Sequence, residues 1–547
     1  MPLAPSNLRR HGVVLATAFL ILGLGSIVAA RMATAADNTV NYPAASLAAP
    51  ANQAALIARG KYLVTAADCA PCHTGPGHAP FTGGLIMNTP FGGLATPNIT
   101  PDKATGIGNW SDEDFYNALH YGISPGRSWL VFPRFLYPGM PYTSYTKLSR
   151  ADVMAIKAYL FSLAPQHVQP TPSSLHFPFN QRPVLLGWRL LFFHPGPMHM
   201  NPAWNEQRKN GAYLTEALGH CAECHTPRNI MAAMETGAWL AGSPVDAFYA
   251  PNISSDKTYG VGGWSQADLV AYLHDDGNLS KGSPYGPMGD MTDHSTSLIP
   301  VSDVVDIANY LQHETKPQHT PPPPAVANGA ASAKAGEVVY QANCSGCHGQ
   351  TGGGMPPRMV PNLAGNDSIV SGPADNVIGA VLSGLDIWHG GPPMPSFATA
   401  LSDQQIADVA NYVRTAWGNK GTASATPAQV MALRGIAVVP YSADEASDRL
   451  GCPRITAAGG ADSVADPGNG LLNAYQGVTA ATLPNRTGAL INAVRAGNST
   501  ISNADLMNTL VAAYCPVVAH QPGLSLAAKR LAVKDFMAAS WPLVTAH

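Results

Sequence analysis

Hydrophobic positions along the chain fall into short amphipathic stretches separated by polar, proline-rich sequence, and three of these stretches repeat one design. Each begins at a serine suited to cap a helix and carries apolar residues at helical spacing: Ser149 through Tyr159-Leu160, Ser302 through Tyr310-Leu311, and Ser402 through Tyr412-Val413. A helical lead-in lies upstream of each, around Gly60-Lys-Tyr-Leu63, Gly211-Ala-Tyr-Leu214 and Gly336-Glu-Val-Val-Tyr340. The lead-in and closing helices of each unit are expected to cross. Strand-like alternation is scarce, so the fold class is mainly α.

Other apolar segments punctuate this plan. The run Val13 to Ala30 follows Arg9 and Arg10 and precedes Ala33-Thr-Ala35, which reads as a secretory signal cleaved near Ala35, with a retained anchor as the competing reading. Both put the bulk of the chain outside the cytoplasm. Pro165 to Pro183 and Pro321 to Pro324 mark linkers. After the first comes Val184 to Phe193, apolar and too short to span a bilayer, read either as a helix packed on the second unit or as a surface for a partner or membrane. Beyond residue 420, Ala489 to Ala496 and Ala504 to Tyr514 look helical.

Composition narrows the classes. With 547 residues the chain needs several domains, and a net charge of -3 offers no basic field for nucleic acid. Frequent Gly (53) and Pro (48) with 46% hydrophobic residues describe a globular, loop-rich protein.

The cysteines supply the chemistry. Six of the 8 belong to three copies of Cys-x-x-Cys-His: Cys69, Cys72 and His73; Cys221, Cys224 and His225; Cys344, Cys347 and His348. Composition alone would place such a motif roughly 0.004 times per chain. Two thiols at this spacing add to the vinyl groups of one porphyrin edge, and the adjoining imidazole becomes the proximal ligand of the iron, so three covalent haem c groups are expected. A zinc site would want a second Cys pair in each unit, and a redox dithiol gives no reason for the histidine. The remaining Cys452 and Cys515 are expected to form a disulfide in an oxidising compartment, with two free buried thiols as the competing reading.

A sixth ligand decides whether each iron is closed or open to small molecules. One Met per unit recurs beside Pro and Gly in a loop ahead of the closing helix: Met140, Met288 and Met394, which lie 67, 63 and 46 residues after their histidines. Met291 competes with Met288, and Met355 and Met359 follow His348 too soon. His120, His294 and His389 are read as surface or propionate-side residues, with one bis-His haem left open.

The first two units share Pro97-Asn-Ile-Thr-Pro-Asp102 to Gly106-Ile-Gly-Asn-Trp110 against Pro251-Asn-Ile-Ser-Ser-Asp256 to Gly260-Val-Gly-Gly-Trp264; the third lacks it. Together with the three haem motifs and Met140-Pro-Tyr142, this resembles the trihaem cytochrome c subunits of bacterial membrane-bound alcohol, aldehyde and sugar dehydrogenases, over about residues 55 to 420. The resemblance implies three tandem class I-like cytochrome c domains with His73, His225 and His348 as proximal and Met140, Met288 and Met394 as distal ligands. It also implies an electron-transfer subunit without a catalytic site of its own, held on the periplasmic side of the cytoplasmic membrane. Its electrons would come from a partner dehydrogenase and pass to ubiquinone. Phe177 to Arg182 and Gly187 to Phe193 look closer to cytochromes paired with molybdopterin-type aldehyde dehydrogenases, and a small iron-sulfur subunit, than to those paired with quinoprotein alcohol dehydrogenases. The competing classes are a peroxidase-like cytochrome with one open haem and a free electron shuttle.

The expected organisation is a signal or anchor at 1–35, haem domains at 36–168, 203–316 and 333–420, a Pro-rich aromatic connector at 169–202, a linker at 317–332, and a haem-free helical extension at 421–547.

Overall fold

The computed structural model describes residues 42–546 except 76–77, 129–131, 276, 278–280, 355–361, 386–393, 399, 437–451, 453, 457–462, 466–469, 476, 480–481, 500, 520, 522–523 and 525. The N-terminal signal or anchor, Met355, Met359 and His389 lie outside the described residues. Helices dominate, and strands are confined to short ribbons. The chain forms two compact units, one ending at His220 and the other beginning at Cys221.

In the first unit, α1 (Gln53–Ala66) is capped by Asn52, and α3 (Arg150–Ser162) is capped by Ser149, with α2 (Asp112–Tyr121) between them. Helices α1 and α3 cross at Gly60, where a β-carbon would sit 1.9 Å from the Ala155 carbonyl oxygen. The glycine of the repeated lead-in is therefore the contact point that lets two backbones touch. The hairpin β1 (Ile86–Thr89) and β2 (Gly92–Ala95) takes on a third strand, β5 (Ser174–Leu175), and β3 (Ile123–Ser128) pairs with β4 (Phe132–Phe135).

The Pro-rich connector is anchored along its length. Strand β5 and the bond from the Asn98 side-chain amide to the Gln166 carbonyl tie it back onto the first Cys-x-x-Cys-His unit. The aromatic segment forms α4 (Leu185–Phe192), and its Arg189 is buried among the rings of Phe135, Tyr142 and Phe193 at 4.7, 5.4 and 4.8 Å. It packs on the first Cys-x-x-Cys-His unit, where the packed-helix reading had placed it on the second. Periodicity reveals that a helix has an apolar face, and nothing in it says which neighbour that face meets. The lead-in before Cys221, α5 (Glu206–Tyr213) running on into one π-helical turn, also packs here: the Tyr213 hydroxyl donates to Asp152 and accepts from the Ser149 backbone.

The second unit carries the hairpin β6 (Ser243–Val245) and β7 (Phe248–Ala250), then α6 (Gln266–His274), α7 (Pro287–His294) and α8 (Val301–His313). Ser302 does not cap α8; Pro300 takes that place and the serine lies inside the first turn. Next come α9 (Gly329–Asn343), α10 (Asp375–Ser383) and α11 (Asp403–Thr415), whose Ser402 and Gln405 make a reciprocal capping box. Helix α9 starts inside the expected 317–332 linker. Helices α9 and α11 repeat the first crossing, with Gly336 placed 1.9 Å from the Asp408 carbonyl by the same construction.

The C-terminal extension has a core of its own, built on α12 (Leu483–Gly497), α13 (Asn503–Ala519) and α14 (Leu526–Thr545). Tyr475, Tyr514 and Phe536 cluster there, beside a disulfide joining Cys452 to Cys515. Among the described residues no helix is long and apolar enough to cross a membrane.

Candidate haem-attachment sites

In all three motifs the histidine amide donates to the carbonyl of the first cysteine: His73 to Cys69 at 3.1 Å, His225 to Cys221 at 3.0 Å, His348 to Cys344 at 2.9 Å. This is one helical turn. Positions i, i+3 and i+4 share a helix face, so both sulfurs and the imidazole of each motif sit on the same side. The first cysteine is half-buried and the second exposed in every copy. Burial pushes the Cys69 and Cys344 thiols up to about 12.

Two of the imidazoles are aimed by backbone carbonyls. His73 Nδ1 lies 2.8 Å from the Pro97 oxygen, and His225 Nδ1 lies 2.6 Å from the Pro251 oxygen. A carbonyl only accepts, so Nδ1 carries the proton and the Nε2 lone pair is left for a metal. Burial lowers both histidines' pKa, which keeps the ligand form neutral. A neutral Nε2 donor on the same face as two thiols fits haem c.

These carbonyls explain the signature shared by the first two units. Asn98 Oδ1 accepts from the Thr100 amide and Asn252 Oδ1 from the Ser254 amide, each at 2.8 Å. Asp102 and Asp256 then cap the next turn by accepting from the amides of Thr105 and Tyr259. Gly106, Gly108, Gly260 and Gly262 pack so closely that a β-carbon on any of them would lie within about 2.2 Å of a loop carbonyl oxygen. The motif is thus a stiff loop whose first carbonyl orients the histidine of the Cys-x-x-Cys-His motif. The signal for Pro97 and Pro251 was the repeat itself, though sequence alone attached no role to it.

The methionines occupy three different settings. Met140 closes the turn after Pro138 and Gly139, its carbonyl accepting from the Tyr142 amide at 2.7 Å. Met394 pairs with Leu385 through two backbone bonds of 2.9 Å and touches the core of the third domain. Met288 was expected in a loop, but it lies in the first turn of α7, with Met291 one turn further along the same helix. Pro287 explains the difference, since a preset φ suits the start of a helix as well as a loop. All three candidates and Met291 are half-buried.

His120 was read as a surface or propionate-side residue. It is buried at 3% exposure on α2, stacked on Tyr116 with ring centroids 4.8 Å apart, and neither ring nitrogen has a hydrogen-bond partner. Burial, with Arg150 nearby, pushes its pKa down to about 4. His294 is half-buried, its Nδ1 2.9 Å from the Asp290 carbonyl.

Residues 333–417 match the family model for cytochrome c. The gluconate 2-dehydrogenase cytochrome c subunit of Pantoea cypripedii is 36% identical over 405 residues, covering 70% of this chain and 90% of that protein. The cytochrome c subunit of alcohol dehydrogenase (quinone) from Gluconacetobacter polyoxogenes is 33% identical over 416 residues, covering 70% and 85%. A nicotinate dehydrogenase subunit of Pseudomonas putida is 39% identical over 379 residues, which make up 66% of this chain and 30% of that protein.

Proposed function

Because the chain belongs to the cytochrome c subunits of dehydrogenase complexes, we propose that it relays electrons through three covalent haem c groups from a partner dehydrogenase to ubiquinone in the cytoplasmic membrane. The observation that carries the reading is the proximal geometry: a neutral imidazole, its Nδ1 tied to a proline carbonyl, beside two thiols on one helical turn. When bound, the haem supplies a one-electron iron couple.

The chain's own residues do the rest. Cys69 with Cys72, Cys221 with Cys224, and Cys344 with Cys347 would anchor the porphyrins, and His73, His225 and His348 would ligate the irons. Met140, Met288 and Met394 would supply thioether sulfur to the irons, which would raise the reduction potential and exclude small ligands. Protein atoms undergo no bond change in this relay, so no acid, base or nucleophile is required.

The partner we favour is a molybdopterin-type aldehyde dehydrogenase with a small iron-sulfur subunit, with a quinoprotein alcohol dehydrogenase second. Its support is the likeness of Phe177 to Phe193 to such cytochromes. The relatives are named for nicotinate, gluconate, alcohol and fructose, and the substrate that reduces the haems distinguishes the aldehyde from these. The apolar run Val13 to Ala30, read as a signal or an anchor, ahead of three Cys-x-x-Cys-His motifs supports a periplasmic, membrane-associated location.

Purification of the native protein from membranes tests the whole reading. A co-purifying dehydrogenase whose substrate reduces the haems and then a ubiquinone analogue is the expected result. A monomer isolated without a dehydrogenase, or an iron that binds carbon monoxide rapidly, would overturn it.

A further inference from the structure

We infer that Arg189 of α4 is the counter-ion of a propionate carboxylate on the haem of the first Cys-x-x-Cys-His unit, so that the Pro-rich connector sets that haem's reduction potential. The inference rests on Cys69 and Cys72 carrying a haem.

Arg189 is a buried cation that the chain leaves unbalanced. It is 8% exposed, and its guanidinium carbon lies 4.7, 5.4 and 4.8 Å from the ring centroids of Phe135, Tyr142 and Phe193. Ring faces attract a cation but accept few of its N–H groups, and Nη1 has no hydrogen-bond partner. The group that bears on its charge is the Tyr142 hydroxyl; among the described residues no carboxylate pairs with it. Arg182, seven residues earlier, donates to the Phe135 carbonyl and lies over the Tyr137 ring at 4.9 Å, and its charged neighbour is a further cation, Arg134. Two guanidiniums thus flank Phe135, and among the described residues no anion answers either. A buried charge is costly unless it is paired. Because Arg189 is sealed by its own chain, a carboxylate on another subunit cannot reach it, and the anion must come from within the fold.

The connector lies over the loop that carries the candidate distal ligand. The Tyr137 hydroxyl donates to the Phe179 carbonyl at 2.8 Å, the Gly196 amide donates to Thr146 Oγ1 at 2.9 Å, and the rings of Tyr142 and Phe193 meet edge to face at 4.9 Å. These contacts, with that of Arg182 at Phe135, bracket Met140 on both sides, and the Tyr142 amide donates to the Met140 carbonyl at 2.7 Å. A c-type haem held by its vinyl edge brings two propionate carboxylates on the opposite edge. An arginine matches a carboxylate with two parallel N–H donors and is weakly hydrated, which suits it to a buried pair. The sign of the effect follows from charge. Ferric haem carries one more positive charge than ferrous, so an unpaired propionate favours the ferric form, and neutralising it raises the potential.

The test uses the full-length holoprotein, with the haem count per chain measured first. Fewer than three haems on the wild-type chain would overturn the functional reading, a failure separate from that of the pairing. The midpoint of the first haem is identified as the one missing from protein carrying Cys69→Ala with Cys72→Ala. Arg189→Met keeps the volume and removes the charge. It is expected to lower that midpoint by about 59 mV, a tenfold change in the ratio of reduced to oxidised haem at a fixed poise, and to shift the propionate bending bands in resonance Raman spectra. Arg189→Lys is expected to keep the midpoint while the bands still move, because an ammonium replaces the guanidinium. If Arg189→Met does not load the first haem, the bands of Arg189→Lys decide. An unchanged midpoint in Arg189→Met with three haems bound would overturn the inference, as would a midpoint that falls as far in Arg189→Lys as in Arg189→Met, or propionate bands that stay in place in either variant.

Discussion

Replacing Gly336 by alanine tests the helix crossing on which the third haem domain is built, because two effects of opposite sign compete there. In an isolated helix alanine is favoured over glycine by about 1 kcal/mol. At this position, however, the new β-carbon would lie 1.9 Å from the Asp408 carbonyl oxygen, 2.4 Å from its carbon and 2.9 Å from Tyr412 Cβ, against a closest real approach of 3.0 Å. The helices must part by about 1 Å. That strains a core in which Tyr340, Ile406, Ala407 and Ala410 are fully buried, and overpacking of this kind costs roughly 1–3 kcal/mol, more when the obstacle is backbone. The net expectation is a loss of about 1–2 kcal/mol, despite the better helix former. Hydrogen exchange by mass spectrometry over residues 333–417 reads local opening without requiring the whole chain to unfold in one step. Gly488→Ala is the control: this glycine lies inside α12 with nothing within 4 Å of its added β-carbon, so the tail should gain about 0.5–1 kcal/mol. Exchange in Gly336→Ala as slow as in the parent, or slower, would refute the crossing argument. The same substitution at Gly60 should behave alike, since its obstacle is the Ala155 carbonyl at 1.9 Å.

Three further outcomes are expected. Replacing Cys452 and Cys515 by serine should cost the tail about 4 kcal/mol in the chain-entropy model for a separation of 63 residues, measured as a lower denaturant midpoint of its unfolding, and an unchanged midpoint would refute it. His120, with its pKa pushed from 6.5 down to about 4 by burial, binds its proton in the unfolded chain first; the first unit should therefore lose stability as pH falls from about 6.5 to about 4, and His120→Phe should flatten that slope in thermal melts across this range. Met288→Ala should remove one haem's sulfur-to-iron absorption and lower its potential while Met291→Ala leaves both unchanged, and the reverse pattern would move the ligand one turn along α7.

Much of the molecule was legible in linear sequence because its chemistry is local. A thiol, a second thiol and an imidazole at i, i+3 and i+4 need only one helical turn to come together, so the three candidate attachment sites could be read directly. The serine caps of α3 and α11 are equally local, and so is the short range that marks a lead-in helix. The outcomes that sequence could not decide all involve a partner distant in the chain. The apolar face of α4 meets Phe135 and Tyr142 of the first haem domain, because burial is non-directional and many faces of similar size compete for it. His120 is a histidine on a helix with apolar neighbours, and only the surrounding fold determines that it is sealed from water. The carbonyls of Pro97 and Pro251 carry no side-chain signature, so their role as orienters of His73 and His225 appears only once the loop has closed on the ring. Sequence alone determined which residues are the candidates to bind a porphyrin; tertiary structure decided how those groups are aimed and which elements are held together, because both depend on backbone atoms that every residue shares.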